Sequence, residues 1–250
     1  MGKKLHKLGW MLLLAILVLW WTGVVRADPA APLSVSVGQS YRANFSTGGN
    51  GIAAQAGNLT ELSINGITVT EVWQGFYGNV TGEFTLQDAQ GNSFYQWSTM
   101  SAGGEVYASN NSLVNWTAVN CFNFTGNGSE VLNVTLIEPA FNVSDTDVDG
   151  FNETFNETYA GQFFIGSRSI DATMQCPQTR TYNSSGVRSE DFVEVLMTDT
   201  SNRGLLFVGM LRNDHNGFNN GTHDFQLLVA DDGQPGNEDA TPYYFFVELT

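Results

Sequence analysis

Two kinds of hydrophobic pattern run along this chain. The first is a single unbroken apolar stretch, Leu8 to Val25, with Lys3, Lys4, His6 and Lys7 before it. The second begins after Pro32 and continues to the end. Short runs rich in Val, Ile, Thr, Phe and Tyr alternate with polar residues and are separated by Gly, Asn and Asp clusters. Alternation of period two predicts half-buried strands, and no segment has a convincing helical period. The predicted strands are Leu33–Phe45, Leu62–Val72, Val80–Gln87, Ser93–Trp97, Glu105–Ala108, Leu113–Phe124 and Val131–Ile137. Phe163–Ile165, Phe192–Met197, Leu205–Leu211, Asp224–Val229 and Tyr243–Leu249 follow. Roughly 10–12 strands with short turns predict an all-β chain, an antiparallel β-sandwich or jelly-roll-like domain. The least regular part, Glu138 to Gly161, reads as a long glycosylated surface loop.

The opening apolar stretch has the three parts of an export signal: a basic start, an apolar middle and the tolerable cleavage positions Val25-Arg26-Ala27. It falls just short of the roughly 20 residues that span a bilayer comfortably. The expectation is therefore a signal peptide over residues 1–27, then a single extracellular domain over 28–250, with no membrane span after cleavage. The other reading is an uncleaved anchor. Asp28-Pro29 and Pro32 stop any helix from continuing.

Charge narrows the partners. The leader holds four of the ten basic residues and no acid, so the mature chain carries six arginines against 25 acidic residues, a net of −19. Such a surface repels phosphate backbones and anionic lipid, and nucleic acid is not an expected partner. The two cysteines, Cys121 and Cys176, predict one disulfide in an exported protein.

N-glycosylation sequons begin at Asn44, Asn58, Asn79, Asn110, Asn115, Asn123, Asn127, Asn133, Asn142, Asn152, Asn156, Asn183 and Asn220. Chance composition gives roughly four, so the excess points to glycan acceptors. Seven sequons have a large apolar middle residue: Phe45, Leu59, Val80, Trp116, Phe124, Val134 and Val143. On a strand this puts Asn and Thr on one face and the hydrophobe on the other. Val131–Ile137 is the clearest instance, with Leu132, Val134 and Leu136 expected inward and Asn133 and Thr135 outward.

One motif carries a chemistry. Asp145, Asp147 and Asp149 occupy positions 1, 3 and 5 of a loop whose sixth residue is Gly150. Alternating carboxylates before a sharp glycine turn are how calcium loops begin. Phe151 would add a backbone carbonyl and Glu153 a carboxylate, although position 12 is Asn156 rather than an acid. Calcium is thus the one expected cofactor, against the alternative of a solvated acidic loop. His215 and His223, flanked by Asp214 and Asp224, read as solvent-facing residues of a polar loop. Signatures of hydrolases, nucleotide binders and haem carriers are missing from the sequence. Paired carboxylates such as Glu190 and Asp191 are ordinary in an acidic β protein.

Trp73–Gly82, Phe94–Trp97, Gly104–Ala108, Phe163–Gly166, Asp224–Val229 and Tyr243–Leu249 together resemble secreted, N-glycosylated cell-surface proteins of archaea, over most of the mature chain. The resemblance implies an archaeal exterior and β structure, and it assigns no functional residue. The leading expectation is a non-catalytic surface protein, either a self-assembling pilus-like filament or coat subunit or an adhesin. No second apolar span or sorting tail follows the last strand, so self-association is the expected means of retention. Residues 28–45 include Leu33-Ser34-Val35-Ser36-Val37, which could serve as an exchangeable donor strand or as the domain's own first strand. A carbohydrate-binding module that stacks surface glycans on Trp73, Trp97 or Trp116 is the rival reading, and a glycan-active hydrolase the third.

Overall fold

The structure is a computed structural model that describes residues 27–43, 51–97, 103–126, 133–144, 146–232 and 240–250. It is all-β, antiparallel and sandwich-like. The centre is a seven-stranded sheet built on β4 (Gly104–Ser109), β5 (Val119–Cys121), β6 (Glu157–Thr158), β9 (Pro177–Tyr182), β10 (Arg188–Asp199), β11 (Gly204–Met210) and β15 (Tyr244–Leu249). Its order is β15-β4-β11-β10-β9-β6, and β5 pairs with the end of β10. Strand β11 lies near the middle and is buried along its whole length. That position explains why Leu205–Met210 is a continuous apolar run: both of its faces are covered.

Side chains on the two faces enter two cores. Ala108, Leu196, Leu205 and Phe207 point to one face, beneath a ribbon of β1 (Trp73–Gly78) paired with β14 (Phe225–Ala230). Two short helices, α1 (Val134–Ala140) and α2 (Phe151–Thr154), complete that cover. Tyr107, Val195, Met197, Leu206 and Val208 point to the other face, under the hairpin of β7 (Gln162–Ile165) and β8 (Arg168–Asp171). The minor ribbons are β2 (Thr85–Gln87) with β3 (Ser93–Gln96), and β12 (His215–Asn216) with β13 (Thr222–His223). The predicted disulfide is present and ties Cys121 of β5 to Cys176, just before β9, with Cα atoms 4.8 Å apart. Among the described residues no helix is long and apolar enough to cross a membrane. Residues 1–26 of the predicted leader lie outside the described residues.

Three expectations need correction. Val131–Ile137 is not a strand. Its described part is the start of α1, whose N-cap is Asn133: the Asn133 side-chain oxygen accepts the Leu136 N–H. An Asn two residues before a Thr serves equally as an outward strand pair or as a helix cap, and capping wins here because Ile137 and Phe141, four apart, both reach the core. The region 138–161 is not a surface loop either. Phe141, Val143, Phe151, Phe155 and Tyr159 are all buried. Phe151, Phe155 and Tyr159 are spaced by four, and each aromatic offers about 150–250 Å² to bury, which outweighs the polar residues between them. Finally, the described residues of Leu33–Phe45 and Leu62–Val72 up to Glu71 form no strand, and their large hydrophobics stand exposed except Val69, which is half-buried.

Candidate self-association surface and the sequence-predicted sites

The described part of the acidic loop bonds to its own surroundings. Asp145 lies outside the described residues. The Asp147 carboxylate accepts the Ser144 N–H at 2.8 Å. The Asp149 carboxylate accepts the Thr70 hydroxyl at 2.5 Å, and its carbonyl accepts the Trp73 indole N–H at 2.6 Å. The Phe151 ring is fully buried, and its carbonyl takes the Phe155 N–H at 2.9 Å. Glu153 turns back over Gly150, where a Cβ would lie 2.6 Å from Glu153 Oε2 and 3.2 Å from Glu138 Oε1. The loop thus clamps the chain entering β1 onto α2. Among the described residues no three His, Cys, Asp or Glu side chains come close enough to hold a metal ion.

The sequons divide by environment. Asn58, Asn79, Asn115, Asn123, Asn142, Asn152, Asn156 and Asn220 are exposed, and Asn110 and Asn183 are half-buried. Asn133 is 9 % exposed, with its amide N–H donating to the Gly126 carbonyl at 2.7 Å. Asn44 and Asn127 lie outside the described residues. The expected pairing of outward Asn with inward hydrophobe holds at Val143, which is buried, and fails at Leu59, which is fully exposed.

The aromatic residues are also divided. Trp73 packs edge-on against Phe151, with ring centroids 5.0 Å apart, and Trp116 sits between Tyr107 and Phe246. Trp97 is half-exposed beside Tyr95. With Phe84 and Leu86 these two form an uncovered apolar face on the β2–β3 ribbon: Leu86 lies opposite Tyr95, and the Trp97 N–H bonds the Phe84 carbonyl.

The titratable groups are tied to local partners. Glu190 contacts Arg180, while Asp191 lies 3.0 Å from His215, so the adjacent carboxylates diverge. His215 and His223 face each other across β12 and β13, and burial pushes the His223 imidazole below its ordinary value. Two hydrogen bonds from Arg180, at 2.9 and 3.1 Å, hold the Glu157 carboxyl down at about 2, with Gln178 and Arg188 adding to the effect and burial opposing it. Glu194 is the reverse case. It is fully buried beneath β14, one oxygen accepts the Leu228 N–H at 2.7 Å, and desolvation pushes it well above the carboxylate range.

What remains open is an edge. Strand β15 ends the central sheet. Its outer side makes one backbone pair among the described residues, with Ala30: the Ala30 N–H donates to Val247 at 3.0 Å and the Val247 N–H donates back at 2.9 Å. Beyond Ala30 the chain leaves the sheet. Leu33 and Val37 are almost wholly exposed and Val35 is 61 % exposed. Beside the edge runs an apolar groove of about 560 Å³, lined by Phe76, Val229, Tyr243 and Phe245 and bordered by Val35 and Val37. The alternation of Leu33–Val37 was legible in the sequence. The open edge was not, because sheet order decides which strand lies outermost. No protein-family model, curated protein or solved structure matches this chain.

Proposed function

We propose that this chain is a non-catalytic extracellular structural protein of an archaeal cell surface, a subunit that self-associates into a filament or coat through its N-terminal segment 28–45. The observation that carries this reading is the pairing of two unsatisfied elements. An alternating segment, Leu33–Val37, exposes its apolar side chains, and the same molecule carries at β15 a sheet edge that among the described residues is paired at Val247 alone. Exposed edges and exposed alternating strands are liabilities in a monomer and become useful when one copy covers another. The exposed sequons and the net charge of the mature chain fit a hydrated outer surface. Electron microscopy and light scattering of the mature protein test the reading. Filaments or large assemblies are expected, and deletion of residues 28–45 is expected to reduce them to monomers. Assembly that survives the deletion unchanged would remove the N-terminal segment from the mechanism.

The second reading is a carbohydrate-binding module. Tyr95 and Trp97, exposed on one face of the β2–β3 ribbon, favour it. A monomer retarded on a polysaccharide column, with retardation lost in Trp97→Ala, would favour this reading over assembly.

A further inference from the structure

We infer that the acceptor for Leu33–Val37 is the outer edge of β15 on a second copy of this chain, and that Pro32 keeps each chain from covering its own edge. The inference rests on the self-association proposed above and assigns its contact surface. Its starting point is the Ala30–Val247 pair. In an antiparallel ladder, mutually bonded pairs recur every second residue, so the next would set residue 32 against Phe245. Residue 32 is proline and has no N–H to give to the Phe245 carbonyl. The chain bends away at the next residue, and no further ladder forms.

The orientation of the edge follows from the same pair. Both backbone groups of Val247 point outward to Ala30, so those of Phe245, two residues away, point outward as well and not toward β4. Leu33-Ser34-Val35-Ser36-Val37 contains no proline and can supply the N–H groups that Pro32 cannot. Its three apolar side chains share one face. Laid against β15, that face meets Phe76, Val229 and Phe245 in the groove, and the serines face water. A second copy is the fitting occupant because it brings both the missing donors and the period-two hydrophobes. The chain's own segment has lost its register at Pro32.

Cysteine cross-linking of the full mature chain tests the assignment. One population carries Val35→Cys and another Gln74→Cys, a position exposed at the groove. Mixed under mild oxidation, the two are expected to give a covalent dimer that neither gives alone, and a chain carrying both substitutions is expected to give a ladder. Pro32→Val should shift the protein from assemblies toward a monomer with a higher melting temperature, since the chain can then pair with itself. A double variant that cross-links only within one chain would overturn the inference. So would Pro32→Val assembling as the parent does. Undiminished assembly with no cross-link between copies would place the acceptor elsewhere and leave self-association standing. Absence of any assembly in the parent would remove both.

Discussion

The N-terminal part of this chain and the body after it carry the same sequence signature and reach opposite outcomes. Leu33, Val35 and Val37 alternate with serines and Val193 and Val195 flank Glu194 with the same period, yet the first set lies outside any strand and the second belongs to the spine of the central sheet. The difference is the second layer. Every central strand of the body has a ladder on each edge and a cover on each face: β1–β14 with the helices on one side, β7–β8 on the other. The described residues of 31–71 form no ladder, and the β2–β3 ribbon has one ladder and an exposed face. Period two states that a segment can make a sheet, and only a partner edge makes it one.

The sharpest way to break this comparison is to remove a body aromatic. Phe151 is fully buried, 5.0 Å from Trp73 and 5.6 Å from Phe141 between ring centroids. Phe151→Ala is expected to cost about 3–5 kcal/mol, read as a large drop in melting temperature. A loss below about 1 kcal/mol would return residues 138–161 to the surface loop that their sequence suggests, because surface substitutions cost no more than that.

The disulfide comes next. It closes a loop of 55 residues and joins β5 to the entry of β9. Cys121→Ser with Cys176→Ser is expected to destabilise by about 2–4 kcal/mol, since the open chain regains its unfolded-state freedom. The loss should appear in the unfolding of the body alone. The β2–β3 ribbon lies outside the loop, and its aromatic fluorescence should change little before the main transition.

How much of this was legible in the sequence follows the same division. Strands β10, β11 and β15 were found within a few residues because their apolar runs are long. The disulfide followed from a count of two cysteines in a chain whose opening reads as an export signal. Strand β9 was missed, because Gln178-Thr179-Arg180-Thr181 is polar and starts after Pro177, and its partner ladders, not its composition, make it a strand. Helix α1 was read as a strand because Asn-Val-Thr fits both geometries. The open β15 edge could not be read at all. Tyr244–Leu249 has a pattern suited to a central strand, and its place at the end of the order emerges only when β4 takes its inner side.

Acid offers a smaller test confined to one edge of the body. Glu157, with its side chain 23 % exposed, is bonded by Arg180 and Arg188. Its folded value of about 2 lies below the ordinary 4.5. A depressed carboxyl stabilises the fold above its unfolded value and loses that contribution as pH falls through the folded value. Stability should therefore fall between pH 4.5 and about 2, by roughly 1–2 kcal/mol after allowance for solvent screening. Arg180→Ala should flatten that slope in urea unfolding measured across the range. An unchanged slope would show that the edge formed by β6 and β9 is held by its ladder alone.

The smallest expected effect is the one that separates the two regions most cleanly. Leu33 and Val37 are large hydrophobics, and in a closed domain replacing two such residues by serine would be ruinous. Here both are almost wholly exposed, so they contribute no burial to the monomer. Leu33→Ser with Val37→Ser is expected to change the stability of the monomer by less than about 0.5 kcal/mol, the range of surface substitutions. The same variant should lose assembly, because the face it makes polar is the one proposed to enter a neighbour's groove. A melting temperature several degrees lower in dilute, monomeric protein would mean that the segment already packs on its own body. The boundary between the closed and open regions would then have to move from Ala30 to beyond Val37.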